Sequence, residues 1–302
     1  MLELERQNVR ALVRGMYDVQ KLRIEMGNRI VGNFRAKLGQ EAGKKLATLD
    51  AEAKVLLADL RGRYKRLTDG VVRFPSLKNF VGDEVISSYT ELCLVSHYVS
   101  LEKAEADHFR RLKGVVAECP IWKWLEGVRG IGPALAGVLI SEIDISKARY
   151  PSSLWAFAGL DVGPDGAGRS RQAKHLVDRA YQKSNGEAAV RKSITFNPWL
   201  KTKLLGVMAG QFLKQAGKSP YAQFYHEYKH RLESHAKYGI AHDGEVDEQC
   251  GGKIYKGRRH AMAQRAMIKL FLVDLYKAWR ELAGLPVAPP YSEAKLQRKH
   301  AG

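Results

Sequence analysis

Residues 121–143 read IWKWLEGVRGIGPALAGVLISEI, and the reading of this stretch decides the fold. A short apolar segment (Ile121, Trp122, Trp124, Leu125, Val128) is followed by Arg129-Gly130-Ile131-Gly132-Pro133 and by a second apolar segment from Leu135 to Ile143. The spacing predicts two helices joined by a sharp hairpin, a helix-hairpin-helix. Glycines at 130 and 132 let the backbone turn tightly and approach a ligand without Cβ interference. Pro133 suits the first turn of the second helix, where a missing N–H costs nothing. The free N–H groups at that helix start suit a phosphate oxygen. Arg129 can add a charge-assisted contact, and Ala136 is small enough for the helices to approach closely. The competing reading is a plain helix–turn–helix corner whose glycines serve only the turn.

Outward from this stretch, charge is the next informative property. The chain has 302 residues, of which 50 are basic and 32 acidic, for a net charge of +18. A polyanionic partner follows, nucleic acid being the commonest. The charge is uneven: residues 1–144 hold 23 basic and 19 acidic groups, and residues 145–302 hold 27 and 13. The C-terminal half is therefore the expected nucleic-acid face. Three widely spaced cysteines, Cys93, Cys119 and Cys250, argue against a disulfide framework and fit a reducing cytoplasm. The charged N-terminus does not read as a signal peptide, and no apolar run approaches the ~18 residues of a membrane span. The expectation is a cytoplasmic protein with no membrane partner.

Before the hairpin, apolar residues recur at helical spacing over 3–30, 46–67 and 83–117, with a loop near Gly32 and Asn33. The length of the third helix predicts an antiparallel helical hairpin, a coiled-coil contact with a second copy through the N-terminal helices, or packing within its own domain. After the hairpin come a short helix around Leu154–Phe157 capped by Ser152 or Ser153, and a glycine-rich basic loop over 161–196. Helices follow from Pro198 to about Gln215, over Tyr221–Ala236 and over 258–283, with a polar loop at 239–257. Trp155, Phe157 and Trp199 read as core aromatics rather than base-stacking platforms. No convincing run of strands is visible. The expected fold is mainly α, with a helical region 1–118 carrying a long helical hairpin. A helix-hairpin-helix-containing α domain follows over 119–290, and a basic tail over 291–302.

The order of segments from Gly130 onward resembles the serine-bearing C-terminal half of the insertion-sequence 110/116/902 transposases. Gly130–Ile143 matches that family's hairpin, Ala158-Gly159-Leu160 its Ala-Gly-Leu helix end, and Ile194-Thr195 with Leu200–Leu205 the helix start after its Ser-Gly loop. The closing Ala-rich helix is matched by Ala261, Ala263, Arg265, Ala266 and Leu270. The resemblance covers roughly 85–285. It implies DNA transposition or recombination through a serine–DNA intermediate, with a RuvC-type acidic domain that binds metal and a structured guide RNA.

Two departures stand out. Residues 1–80 show none of the strand-borne carboxylates of the acidic domain, so magnesium is expected only if a partner supplies acidic ligands; no other cofactor is evident. The family's Ser-Gly aligns with Ala167-Gly168, leaving Ser170, between Arg169 and Arg171, as the candidate nucleophile. Guanidiniums there can stabilise developing negative charge, and His175 is the nearest base in sequence. The rival reading is a non-catalytic nucleic-acid-binding protein derived from such a transposase. Arg129, Gly130, Ile131, Gly132, Arg169, Arg171, Lys174, Arg191 and Lys192 are the candidate contacts to double-stranded DNA, with structured RNA as an alternative partner. His230, His235, His242, Cys250 and His260 fit no zinc spacing, so no metal site is expected, and Asp243, Glu245, Asp247 and Glu248 read as a solvated acidic patch.

Overall fold

The computed structural model describes residues 3–39, 50–71, 73–163, 165–215, 217–235 and 256–289. It is mainly α. The chain divides into two compact units, Asn8–Gly114 and a second made of Met1–Gln7 with Val115–Gly302.

The Asn8–Gly114 unit is built from α1 (Glu3–Lys37), α2 (Ala51–Thr68) and α3 (Tyr89–Ala117). Ile30, Phe34, Leu57, Leu60, Ile86, Leu92 and Val95 form its core. The loop expected near Gly32 and Asn33 is helix instead. Burial of Ile30, Val31 and Phe34 on either side outweighs the cost of one helical glycine, about 1 kcal/mol. α2 starts late, at Ala51, because the Asp50 carboxylate caps it by accepting the Ala53 N–H at 2.7 Å.

α3 likewise begins at Tyr89 rather than 83. Asp83 takes the N–H groups of Val85 and Ile86 into its carboxylate, at 2.8 and 2.6 Å, which holds 83–88 as a turn. Gly82 is needed there, since a Cβ would lie 2.3 Å from the Ile86 carbonyl oxygen. Ser88 and Glu91 then exchange side-chain bonds with each other's N–H and start the helix. Gln20 and Arg23 of α1 meet Glu105, and Arg61 of α2 meets Glu102, so α3 packs within its own unit.

In the second unit α4 (Trp122–Gly127) turns through Val128–Gly132 into α5 (Pro133–Glu142). Every residue of α5 from Leu135 to Glu142 is buried, the mark of a helix surrounded on all sides. α6 (Pro151–Phe157) follows, and it starts at Pro151, ahead of Ser152 and Ser153. Next come β1 (Val177–Gln182) and β2 (Ala188–Ser193). α7 (Pro198–Lys203) then runs through a π-turn at Leu204–Met208 into α8 (Ala209–Leu213), and α9 (Pro220–Glu233) and α10 (Lys256–Leu282) close the unit. Phe212, Tyr221 and Phe271 stack as an aromatic knot with centroids 4.9–5.6 Å apart. Arg280 of α10 donates to the carbonyls of Ile145 and Ala148, tying the link after α5 to the last helix.

The strands correct the expectation that 161–196 is mainly an exposed basic loop with helical turns in it; one such turn is present, at Ala173–His175. The strands form an antiparallel ribbon with Arg179 opposite Arg191 and Asp178 opposite Lys192. Both faces are largely exposed, so no alternation of apolar and polar residues announces it. His242, Cys250 and the acidic patch at 243–248 lie outside the described residues. Among those described, no group of three His, Cys, Asp or Glu could hold a metal ion, and no helix is long and apolar enough to cross a membrane.

Candidate active site and nucleic-acid interface

The segment between α6 and β1 folds back on itself. Gly163 N–H donates to the Ala167 carbonyl at 2.8 Å and Arg169 N–H to the Asp161 carbonyl at 3.0 Å, making a small hairpin closed by a Val162–Gly168 bridge. Gly166 takes φ +74°, a conformation that favours glycine. A 3₁₀ turn at Ala173–His175 then brings His175 back under this hairpin, 3% exposed.

Three side chains meet there. Ser170 Oγ lies 2.8 Å from His175 Nδ1, and His175 Nε2 lies 3.2 Å from both carboxylate oxygens of Asp165. The Ser170 backbone N–H also donates to Nδ1, at 3.0 Å. That bond requires Nδ1 to be the unprotonated nitrogen and leaves the proton on Nε2, facing Asp165. Ser170 can therefore give its hydroxyl proton to an imidazole whose tautomer is held by the loop. Room for this comes from Gly163, where a Cβ would sit 2.9 Å from Asp165 and 3.0 Å from His175. Lys174 pairs with Asp165 at 2.5 Å. That pair, the Ala167 N–H and His175 hold the Asp165 carboxyl far below the usual carboxylate range.

Cations surround the loop. Lys201 of α7 donates to the Arg169 carbonyl and lies over the Phe196 ring. Burial, with Arg265 and Arg171 nearby, lowers its pKa to about 8. Arg169 pairs with Asp161 at 2.7 Å. From α10, Arg265 reaches Gly168 so closely that a Cβ there would collide with its guanidinium. Burial lowers the pKa of Arg265 and of Lys269 one turn further on. Beside them opens a cavity of about 790 Å³, walled by loop residues 166–168, Trp155, Phe224, Tyr228, Met262, Arg265 and Lys269. Trp155 is thus half-buried in its wall, and Phe157, expected in the core, is 41% exposed.

The α4–α5 corner is arranged differently. Gly130 has φ +95°, and a Cβ there would stand 3.1 Å from Phe212 and 3.2 Å from the Gln211 carbonyl oxygen. The bare Cα thus serves a contact within the chain. Ile131 is buried and its N–H is taken by the Val128 carbonyl. Gly132, the N-cap of α5, faces open space and has no side-chain cap, and Arg129 is exposed. Among the other candidate contacts, Arg171 and Arg191 are exposed. Lys174 and Lys192 are exposed but paired with Asp165 and Asp178. His230 pairs with Glu233 and His260 with the Tyr225 hydroxyl.

The carboxylates of the loop, Asp161 and Asp165, each face a cation. They do not form the clustered oxygen donors that magnesium requires, so the described residues do not make the metal site that the family resemblance implies. Sequence reasoning reached Ser170 and His175 but missed Asp165, Arg265 and Lys269 as members of one site. A small-residue loop flanked by histidine and aspartate was the available signal for the first.

Residues 123–204 match the family model described as Transposase IS116/IS110/IS902 family. The match runs from α4 to the start of the π-turn, so this segment is similar to that family. It contains the α4–α5 corner, the Ser170 loop and the ribbon. No curated protein matches the chain.

Proposed function

We propose that this is a DNA-binding, transposase-like protein of DNA transposition or site-specific recombination, and that Ser170 is its nucleophile. The family match supports a role in transposition. The observation that carries the finer reading is the Ser170–His175–Asp165 chain of contacts inside the matched segment. His175 Nδ1 takes the hydroxyl proton as Oγ bonds to phosphorus. The bond from phosphorus to the leaving deoxyribose oxygen breaks, and that oxygen takes up a proton, for which His175 is the nearest donor. Asp165 steadies the imidazolium formed on the way, and Lys201 and Arg265 lie where they offset charge gathering on the phosphoryl oxygens. Arg129, Arg171, Arg191 and the open start of α5 at Gly132 supply backbone contacts to duplex DNA. This is the helix-hairpin-helix role in reduced form, because Gly130 and Ile131 are occupied within the fold.

The rival is a DNA-binding protein that has lost the chemistry. Two observations favour it: Ala167 stands at the family's serine position, and Ser170 Oγ also accepts the Gln172 N–H at 3.3 Å as a loop brace. A nicked suicide substrate separates the two. Incubated with magnesium and a candidate structured RNA, wild type and Ser193→Ala form a covalent adduct and Ser170→Ala forms none. An adduct that survives Ser170→Ala removes the nucleophile from this loop, and no adduct in wild type supports the rival.

A further inference from the structure

The cavity between the glycine loop, α9 and α10 has no role in the chain of contacts at Ser170, yet it is unusually furnished. Its volume, about 790 Å³, lies within the range of ligand pockets, about 300–1,000 Å³. Two cations on successive turns of α10, Arg265 and Lys269, line it; among the described residues no salt bridge pairs either with a carboxylate, although Asp161 is near enough to favour the charge on Lys269, and burial disfavours the charge on both. Holding charge in such a place is costly unless an anion arrives to meet it. Across from them, Phe224 and Tyr228 lie one turn apart on α9 with ring centroids 5.9 Å apart, both only half-buried. Trp155 is already committed, its indole N–H donating to the Lys269 carbonyl and its ring lying under the Lys269 ammonium. The cavity therefore offers cations on one side and the rings of Phe224 and Tyr228 on the other, with Arg231 lying over the Tyr228 ring. That combination suits a ligand with an anionic group and a flat apolar face.

We infer that this cavity takes one unstacked nucleotide of a single DNA strand, its phosphate against Arg265 and Lys269 and its base against Phe224 and Tyr228. A base inside a duplex cannot enter, so occupancy requires an unpaired or extruded nucleotide, and stacking on an aromatic ring tolerates any base. The inference rests on the DNA-binding reading above and gives it a strand preference next to Ser170.

The test compares a single strand, the fully paired duplex, a duplex with one unpaired 2-aminopurine, and an RNA strand of the same sequence, each titrated with the full-length chain. Variants are Lys269→Gln, Phe224→Ala and, should either fail to give the wild-type melting curve, Tyr228→Ala. The expected result is a loss of about tenfold in affinity for the single strand and the unpaired site, with paired-duplex affinity unchanged. 2-Aminopurine emission falls when wild type binds and recovers in Phe224→Ala. Equal losses on paired and unpaired DNA, or no loss on either, overturn the inference while leaving DNA binding standing. A pocket-dependent preference for the RNA strand also overturns it. If wild type binds none of the DNAs at any salt concentration, the DNA-binding reading itself falls.

Discussion

Two glycine-bearing turns lie within the matched segment, and they spend their glycines in opposite ways. At the α4–α5 corner, Gly130 is filled against by Phe212 and the Gln211 carbonyl, so the close approach it permits is to its own chain. In the 161–170 loop, Gly163 makes space for Asp165 and His175, and Gly168 for the Arg265 guanidinium. There the room is taken by chemistry-bearing side chains. A glycine pair says that something comes close to the backbone; only the fold says what. The first turn therefore packs mainly against its own chain, the second carries the site proposed above, and that contrast can be broken by experiment.

The largest effect is expected in the second turn. Asp165→Asn keeps the size of the side chain but removes the charge that steadies His175. The rate of adduct formation should fall by a factor on the order of 10²–10⁴, with DNA affinity little changed. A single-turnover time course checks this, and an unaltered rate would reduce His175 and Asp165 to a loop brace. Gly130→Ala comes next. Forcing a side chain into φ +95° against Phe212 should cost about 1–3 kcal/mol of stability, while Gly132→Ala, facing open space, should cost well under that. Urea denaturation of the two variants decides it. Equal costs would erase the distinction between the glycines.

A smaller effect belongs to the ribbon. Arg179 and Arg191 face each other directly on one side, with Tyr181 under Arg191, whereas Lys192 is neutralised by Asp178 on the other. Like charges directly opposite destabilise a strand pair, so under the proposed DNA-binding reading the arginine face is the one expected to meet phosphate. Each of Arg179→Ala and Arg191→Ala should lower the salt slope of DNA binding by about 1, and Lys192→Ala by less. Fluorescence anisotropy over a salt series reads this, and equal slopes for all three would remove the facial bias.

The smallest expected effect is at Lys201. Its pKa, lowered to about 8 by burial, is below the usual lysine value, so the folded chain binds fewer protons there than the unfolded one at higher pH. Its contribution to stability therefore rises with pH from about 8 towards the unfolded value, and is unfavourable below that window. Lys201→Gln should raise the melting temperature at neutral pH by about 2 °C and weaken DNA binding. Wild-type affinity should also decline as pH passes through about 8 and Lys201 loses its charge. A melting temperature that drops in Lys201→Gln would show that the bond to the Arg169 carbonyl matters more than the burial of the charge.

The long helices were legible because apolar residues recur along them, and their ends were less so because side chains set them. Asp83 holds back α3 by capturing two N–H groups, and buried neighbours carry α1 across Gly32. The ribbon was hidden because neither face is buried. Its one local signal was Asn185-Gly186 between the two strands, where Gly186 takes φ +86°. At the site, Ser170 and His175 are near in sequence and could be named together. Arg265 and Lys269 come from a helix about a hundred residues away, and no spacing rule reaches that far.

The most direct test of the central claim is the location of the DNA remnant after the suicide substrate has reacted. Wild-type protein incubated with the nicked duplex, magnesium and structured RNA is digested with nuclease and protease, and the peptides are weighed by mass spectrometry. The expected result is a nucleotide phosphate on Ser170, absent from Ser170→Ala and strongly reduced in Asp165→Asn. A remnant on Ser193 or on any other residue, or none while DNA binding persists, would contradict the assignment of Ser170 as the nucleophile.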